Sequence, residues 1–346
     1  MMKLRGGIAS CFIPVVVSRI AFAALLLALP AAGQDNANRP PWAQSGSGSA
    51  PAKTSTEAAP AQAAQEAASP RGTIKVQVNL VNVLVSVLDE HNRPAPDLPI
   101  EAFQIFEEGV AQKIDIFEPE TKQPLDLALM IDSSLSAHKE IGFERDAATH
   151  FIKQTLRPGD RLAVYAFDES VTRIADFSDN VGALQDAVRR IPDGAGTSIY
   201  DAVLLGSSAL AKRGAERRRV IILMTDAGET TSHSDFESTR RAALRAGVVL
   251  YTIVVRPVRS ENGRNTAGEH ALQTITETTG GAMFFPDSAQ ELTAIFDRID
   301  SELRTQYRLA FYPNPRGPAN TYRTIEVKVL PGYTARHRST YLTGAQ

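Results

Sequence analysis

Five side chains with oxygen donors stand at spacings that suit a divalent cation. In the stretch LALMIDSSLS an apolar run stops at Asp132, and Ser134 and Ser136 follow at every second position. Thr197 lies in the glycine-bracketed stretch GAGTS, and Asp226 follows a second apolar run in RVIILMTDAGE. Two carboxylates and three hydroxyls form the all-oxygen set that hard cations prefer. The sequence therefore predicts a Mg²⁺ site, with Mn²⁺ or Ca²⁺ as alternatives.

The charge of these donors predicts what else the cation would bind. Hydroxyls are neutral, so only the carboxylates of Asp132 and Asp226 offset the two positive charges of the ion. A cation held in this way keeps Lewis acidity for one more ligand. We expect that ligand to be a Glu or Asp carboxylate presented by a partner protein.

The elements that must position these donors alternate between apolar runs and helical patterns after Leu125. Continuous apolar strands separated by helices are typical of a mostly parallel sheet covered on both faces, so the expected fold class is α/β, doubly wound and Rossmann-like. In such sheets ligands bind beyond the carboxyl ends of the strands, where Asp132 and Asp226 are expected. The segment 171–178 alternates weakly and is expected at a sheet edge. The buried-strand candidates are 125–131, 161–167, 219–224, 248–255 and the shorter 282–285.

The segments on either side of this α/β region read as β structure. Residues 73–120 contain alternating apolar positions from Ile74 onward and a predicted hairpin around Glu108-Gly109. Residues 306–346 contain three alternating segments, the last of them at 335–342. One economical arrangement pairs the two ends into a second, small β domain with the α/β domain inserted.

The donor residues resemble the metal-ion-dependent adhesion site of von Willebrand factor A domains. The stretch GTSIYDA at 196–202 and the strand that ends in Thr225-Asp226 are similar to other segments of that family. The resemblance covers about 125–305, within an expected domain at 121–305, and the flanks further resemble a group of secreted bacterial proteins that is frequent in acidobacteria. It implies that the two Ser and the Thr contact the metal directly. It also implies that Asp132 and Asp226 act mainly through bound water.

Two positions depart from the family pattern. The family usually has Gly after its last Asp, whereas Ala227 stands here, and the second Ser is followed by Ala137 and His138. Glu229 and Asp201 are candidates to support the ligands from behind. For Glu229 a solvated loop position is the simpler expectation, and for Asp201 an interaction with a helix dipole is.

The N-terminal residues read as an export signal. A positively charged start, an apolar run over residues 20–29 and the small residues after it predict a signal peptide at 1–33. Residues 34–72 are rich in Ala, Pro, Gln and Ser and are expected to form a flexible linker. The expected location is the periplasm, the cell envelope or the exterior, with no membrane span in the mature chain. Removal of the signal would also remove Cys11, the only cysteine, and with it any thiolate metal site.

Several function classes find no support in the sequence. The formal net charge of −2 gives no reason to expect a nucleic acid partner. No zinc-protease, nucleophile-elbow or phosphate-loop motif is present, so we expect a binding module rather than an enzyme. Two alternatives remain: a metal-assisted hydrolase with Glu229 or His138 as its base, or a structural envelope protein with a vestigial metal site. The basic residues in the stretch from Lys212 to Arg219 are expected to form an exposed approach to a strand, with a binding patch for an acidic partner as the alternative.

Overall fold

The computed structural model describes residues 80–119, 122–134, 141–255 and 266–344. The predicted signal peptide and linker lie outside these ranges, as do residues 73–79 of the predicted N-terminal β segment. Within the described part of the chain, no helix has the length and apolar composition needed to cross a membrane.

Strands and helices follow one another along the chain in the order that the apolar pattern predicts. The strands are β1 (Val81–Leu88), β2 (Gln104–Glu107), β3 (Val110–Gln112), β4 (Ile116–Glu118), β5 (Leu125–Asp132), β6 (Arg161–Phe167), β7 (Val171–Ser178), β8 (Arg218–Thr225), β9 (Val248–Val254), β10 (Met283–Phe284), β11 (Tyr307–Phe311), β12 (Tyr322–Lys328), β13 (Thr334–His337) and β14 (Thr340–Leu342). The helices are α1 (Ile141–Thr155), α2 (Val181–Arg189), α3 (Ile199–Ala211), α4 (Phe236–Ala246), α5 (Thr266–Thr279) and α6 (Ala289–Arg304).

The central layer is a six-stranded sheet in the order β10-β9-β8-β5-β6-β7. Neighbouring strands run parallel from β10 to β6, and only β7 is antiparallel, at the edge where it was expected. All eight residues of β5 are buried because helices cover both faces of the sheet. This confirms the predicted α/β class with a mostly parallel sheet.

The two faces of the central sheet have separate apolar cores. Alternate residues of β5 point to opposite sides: Leu127 and Leu129 pack with α1, α2 and α6, and Ala128 and Met130 pack with α3 and α5. The core beneath α1 and α6 includes a stacked pair, Phe151 and Phe296, with ring centroids 4.7 Å apart. The strands are therefore held from both sides, and their ends form a firm edge on which polar residues can be placed.

Two four-stranded antiparallel sheets are built from both ends of the described chain. One has the order β13-β1-β11-β4 and the other β14-β12-β2-β3. Their facing residues form a third core that includes Val83, Val85, Phe103 and Tyr307. The two ends thus share sheets, as the economical arrangement requires. The predicted hairpin also forms, because Glu108 and Gly109 both adopt the positive φ angles, 50° and 76°, of a tight two-residue turn.

The segment 335–342 was predicted as one strand, and this prediction is wrong. It divides into β13 and β14, which belong to different sheets. The break occurs because the chain turns at Ser339, whose N–H donates to the Thr278 carbonyl at the end of α5 (3.2 Å). At Gly280, which follows α5, a side chain would lie 2.5 Å from the backbone nitrogen of Arg338, so only glycine fits this approach.

The stretch from Lys212 to Arg219 is not simply an exposed approach to a strand. Arg218 is only 3% exposed, and its Nε donates to the Gln123 carbonyl (2.9 Å). Arg217 and Arg219 are half-buried and also bond to backbone carbonyls. Of the five basic residues in this stretch, only Lys212 matches the expectation of an exposed side chain. The difference arises because β8 starts beneath the C-terminal end of α6, which supplies carbonyl acceptors that the local sequence does not reveal.

Candidate metal site

Asp132 ends the central strand β5 and is fully buried. Its Oδ1 accepts a hydrogen bond from the Ser134 backbone N–H (3.0 Å), and its Oδ2 accepts one from the Thr225 hydroxyl at the end of β8 (2.8 Å). The carboxylate is thus fixed between two neighbouring strand ends. This is the position that the parallel-sheet rule predicts for a ligand-binding group.

Ser134 joins this strand end to the glycine-bracketed loop. It forms a parallel bridge with Gly194, and the Gly194 N–H donates to the Ser133 carbonyl (2.7 Å). Ser134 is buried, as expected for a residue that turns inward toward Asp132. Ser136 lies outside the described residues, as do Ala137 and His138, so their predicted roles remain predictions.

Thr197 connects the same loop to the segment after β8. Its backbone N–H donates to the Thr230 hydroxyl (2.8 Å), and its carbonyl accepts from the N–H groups of Thr230 (2.9 Å) and Thr231 (3.2 Å). Gly196 has a φ angle of +71°, and a side chain there would lie 2.7 Å from Glu169. Gly196, which directly precedes Thr197, is therefore required by the close approach of these loops.

Asp226 follows β8 directly and starts a tight turn. Its Oδ1 accepts from the Gly228 N–H (2.8 Å). Between them Ala227 is buried and has a φ angle of +66°, which strains any residue except glycine. The loop thus keeps the backbone conformation that a glycine would favour, although the sequence departs from the family pattern at this position.

The electrostatic setting of Asp132 suits a cation. Burial raises the pKa of Asp132 from its usual 3.8 to about 6, partly opposed by hydrogen bonds from Ser134 and Thr225. The nearby Asp226 carboxylate raises the pKa further. Among the described residues, no Lys or Arg lies within ion-pair distance of either aspartate. A buried carboxylate without a cationic partner is costly, and a bound divalent ion would offset that cost.

The donors are mainly hydroxyls and not the groups of a histidine- or carboxylate-rich centre. Within the described ranges, no three His, Cys, Asp or Glu residues cluster as they would in such a centre. The residues present therefore fit a hard cation bound by few charges, as in the predicted Mg²⁺ site. Zn²⁺, which prefers nitrogen and sulfur ligands, suits this donor set poorly.

Replacing Asp132 with Asn should stabilise the metal-free protein at pH 7.5. A pKa raised in the folded state means that unfolding becomes easier as pH rises from about 4 to 6, because the folded state must give up a proton that it binds more tightly. A rise from 3.8 to about 6 corresponds to about 3 kcal/mol at neutral pH, as an upper bound. Asn removes this penalty, so the gain should shrink steadily as pH falls from 6.5 to 4.5.

Thermal and urea denaturation of chelator-treated protein at several pH values would measure this gain. Asp297→Asn, at an exposed position of α6, is the matched control and should change stability little at any pH. A metal-free Asp132→Asn variant no more stable than the wild type at pH 7.5 would contradict the electrostatic account of this carboxylate.

Glu229 is not the solvated loop residue that the sequence favoured. Its Oε2 accepts from the N–H groups of Ile199 (2.8 Å) and Tyr200 (3.2 Å) at the start of α3, and from the Ser232 hydroxyl (2.9 Å). Its Oε1 accepts from the Ser232 N–H (2.9 Å). Glu229 therefore caps the helix that begins two residues after Thr197, and it ties that helix to the segment after Asp226.

Asp201 stands in the first turn of α3 and binds the same segment further along. Its two carboxylate oxygens accept from the backbone N–H groups of His233 and Ser234, both at 2.9 Å. These bonds hold the pKa of Asp201 below its usual value, although partial burial acts in the opposite direction. Asp201 thus fixes a loop, which is a more specific role than the expected interaction with the helix dipole.

Sequence reasoning missed two acidic residues at the rim. Asp168 and Glu169 follow β6, and the Glu169 N–H donates to the Ala195 carbonyl (2.8 Å) in the loop before Thr197. A side chain at Gly194 would collide with Asp168, which shows how closely the two loops pack. The strand-end rule that selected Asp132 and Asp226 would also have selected these residues, since they end a neighbouring parallel strand.

Comparison with known proteins places this part of the chain in a family. Residues 127–229 match the family model of the von Willebrand factor type A domain. A comparison with curated protein sequences gives no match. Similar solved structures include a von Willebrand factor type A protein from Catenulispora acidiphila (13% identical, covering 70% of this chain and 74% of that chain, TM-score 0.46). A second is the conserved hypothetical protein BatB from Bacteroides thetaiotaomicron, which is 16% identical, covers 51% of this chain and 98% of that chain, and has a TM-score of 0.42. A third is the open conformation of the pilus adhesin SpaC from Lactobacillus rhamnosus GG, which is 11% identical, covers 73% of this chain and 48% of that chain, and has a TM-score of 0.45.

The matched region coincides with the elements that carry the candidate site. It runs from β5, which ends in Asp132, through the loop of Thr197 to the segment after Asp226. The surrounding sheet is mostly parallel and covered by helices on both faces. The chain therefore contains a von Willebrand factor type A domain.

Proposed function

We propose that this protein is an exported protein-binding module whose A domain holds Mg²⁺ at the carboxyl edge of its sheet. The metal ligands would be Ser134, Ser136 and Thr197, with Asp132 and Asp226 behind them. When bound, the ion would supply Lewis acidity toward an acidic side chain of a partner protein. Export to the periplasm, cell envelope or exterior follows from the signal-like N-terminal sequence.

The observation that supports this proposal most is the buried, unpaired carboxylate of Asp132. It ends a central strand, lies beside a hydroxyl-bearing loop and has no cationic partner among the described residues. A buried carboxylate without a cationic partner lowers the stability of the fold, and such groups are common at functional sites. The oxygen-rich surroundings of Asp132 favour the binding of a cation, which would offset this loss.

A binding role is favoured over hydrolysis by the state of Glu229. A general base must be free to accept a proton from water close to the metal. Both carboxylate oxygens of Glu229 already accept hydrogen bonds from the start of α3 and from Ser232. Glu229 is therefore suited to positioning Thr197 and poorly suited to catalysis.

Calorimetric titration of metal-stripped protein with Mg²⁺ tests the metal site. We expect saturable binding by the wild type and a loss of at least 10- to 100-fold in affinity in Asp132→Ala and Ser134→Ala, since even residues behind a ligand affect affinity by that amount. Asp297→Ala and Ser301→Ala, both at exposed positions of α6, should bind like the wild type. The absence of wild-type binding would instead favour a structural role with a vestigial site.

Partner chemistry is tested with paired peptides that differ only in Glu against Gln. Binding that requires both Mg²⁺ and the Glu member of a pair is the expected result. Equal binding of both members, or binding that survives metal removal, would contradict carboxylate capture while leaving the metal site itself intact.

A further inference from the structure

A cavity of 1130 Å³ lies at the amino-terminal edge of β8 and β9. This is the edge of the central sheet opposite to Asp132. The loop before β8 and the end of α4 line one side, and β1, β11 and the residues around β14 line the other. A concave site of this size, bordered by many different segments, suits a small molecule better than a flat protein surface does.

The walls of this cavity are strongly cationic. Four of the lining arginines come from the segment 213–219, and Arg245, Arg308 and Arg338 complete the set. Glu216 is the one acidic residue among the lining residues that the structure describes. Such an excess of guanidinium groups around one cavity needs an explanation, because like charges repel when solvent is partly excluded.

The arginines of the segment 213–219 are explained by the framework. Arg213 and Arg217 both pair with the buried Asp126, each at 2.7 Å. Arg219 donates to the Ala246 carbonyl (2.7 Å) at the C-terminal end of α4, and Arg218 donates to the Gln123 carbonyl. These side chains satisfy strand ends and helix carbonyls, which is a structural role.

Of the other three arginines, Arg338 and Arg245 are not accounted for in this way. Arg308 and Arg338 both contact Asn82, the first through its side-chain oxygen (3.1 Å) and the second through its backbone carbonyl. Arg308 is paired with Glu118 (2.6 Å), but Arg338 has no carboxylate within ion-pair distance among the described residues. The Nε of Arg338 is buried and has no hydrogen-bond partner in that part of the chain.

Arg245 faces the same cavity from the end of α4. It is exposed, and it donates a single hydrogen bond, to the Asn320 side chain (2.8 Å). A guanidinium group has five N–H donors, so Arg245 and Arg338 retain several that point to no protein acceptor. Burial lowers the pKa of Arg338 to about 10, opposed by Tyr341, whose ring centroid lies 5.7 Å from the guanidinium carbon.

We propose that this cavity binds a small anionic ligand with two or more phosphate or carboxylate groups, held mainly by Arg338 and Arg245. Planar guanidinium groups bind both kinds of oxyanion through paired hydrogen bonds. Leu84, Leu244 and Leu342 supply apolar wall between the charges, so the ligand would have a carbon or ester backbone as well as its anionic groups. The site is independent of the metal site at the opposite edge of the sheet.

Calorimetry with two probes, tripolyphosphate and citrate, tests this proposal in 150 mM NaCl. The full chain should be freed of metal on a chelating resin, because a soluble chelator is itself a polycarboxylate and would compete. We expect saturable binding of at least one probe, weakened about 10-fold or more in Arg338→Gln and in Arg245→Gln. Arg189→Gln, on the exposed face of α2, is the matched control and should bind like the wild type.

The probes also separate the two sources of the oxyanion. Binding of tripolyphosphate alone would identify a phosphate ligand, and binding of citrate alone a carboxylate ligand; either outcome supports the site. The proposal would be overturned if neither probe bound saturably. It would also be overturned if the wild type and Arg245→Gln, an exposed substitution that should fold normally, bound the probes with equal affinity. A glutamate-rich peptide that binds where neither probe does would point to an acidic protein partner instead and would also overturn it.

Discussion

Replacing Glu229 with Ala is expected to weaken Mg²⁺ binding by about 10- to 100-fold and to destabilise the fold by about 3 kcal/mol. Glu229 accepts four hydrogen bonds, two of them from the first N–H groups of α3 and two from Ser232. Its removal leaves the Ile199 N–H without a partner and the Tyr200 N–H with only the Ser232 hydroxyl (3.0 Å), and it releases the loop after Asp226. Because α3 begins directly after the loop of Thr197, the candidate ligand should lose its fixed position.

Two substitutions distinguish positioning from general destabilisation. Glu229→Gln keeps an acceptor oxygen but loses the charge, so its Mg²⁺ affinity should lie between those of the wild type and Glu229→Ala. Glu277→Ala, at an exposed position of α5, should leave affinity and stability unchanged. Calorimetric affinities and urea denaturation curves measure both effects. Normal Mg²⁺ affinity in a Glu229→Ala variant that remains folded would show that Glu229 has only a structural role.

The role of Glu229 illustrates a contact that the sequence cannot reveal by itself. Its helix partners stand 29 and 30 residues earlier in the chain, so no capping pattern of adjacent residues marks them. By contrast, Ser288 caps α6 in a local pattern that spacing alone marks, since its hydroxyl accepts from the N–H of Glu291 three residues on. Local caps can be predicted from spacing, and caps supplied by distant loops cannot.

The parallel sheet and the placement of Asp132 could be predicted because both follow from local composition. A strand buried on both faces must be largely apolar, and β5 meets this condition from Leu127 to Ile131, between the carboxylates of Asp126 and Asp132. The first polar residue after such a run must then lie at the sheet edge. The approach of Thr197 to the segment after β8 is different in kind, because it depends on how two loops pack.

The buried state of Arg218 could not be predicted for a related reason. A stretch of five basic residues before a strand usually marks a solvated surface. Here the end of α6 and the residues before β5 approach the start of β8. The carbonyls of Leu303 and Gln123 accept hydrogen bonds from the Arg218 guanidinium group and offset the cost of burying it. Which elements meet at a sheet edge depends on topology, which residue types alone do not specify.

Replacing Arg336 with Met is expected to destabilise the fold by about 3–5 kcal/mol. Arg336 on β13 pairs with Glu302 near the end of α6, at 3.0 and 3.2 Å to its two carboxylate oxygens. Glu302 is fully buried, and its other partner is the hydroxyl of Tyr251 (2.9 Å). Without Arg336 the Glu302 carboxylate would remain buried with the Tyr251 hydroxyl as its one neutral donor. Removing one partner of a buried pair destabilises a fold strongly because it leaves the other charge uncompensated.

A double-mutant cycle separates the charge from the packing. Glu302→Gln in the Arg336→Met background removes the uncompensated charge and should restore a substantial part of the lost stability, measured by urea denaturation. Arg173→Met, which breaks an exposed pair with Asp176, is the control and should cost less than about 1 kcal/mol. Additive effects of the two buried substitutions would show that Arg336 stabilises the fold through packing alone.

The Arg336→Met variant also tests whether the two edges of the A domain act independently. Glu302 is adjacent to Leu303, whose carbonyl accepts a hydrogen bond from Arg218 at the start of β8. This end of β8 lies at the edge of the sheet opposite to Asp132. A substitution there should lower stability while changing Mg²⁺ affinity less than about twofold, since sites far apart and without shared partners behave additively. Glu229→Ala should affect both quantities, because it touches the segments that hold the candidate ligands. A large loss of Mg²⁺ affinity in folded Arg336→Met protein would instead show that the β13–α6 contact and the metal edge are coupled through the sheet.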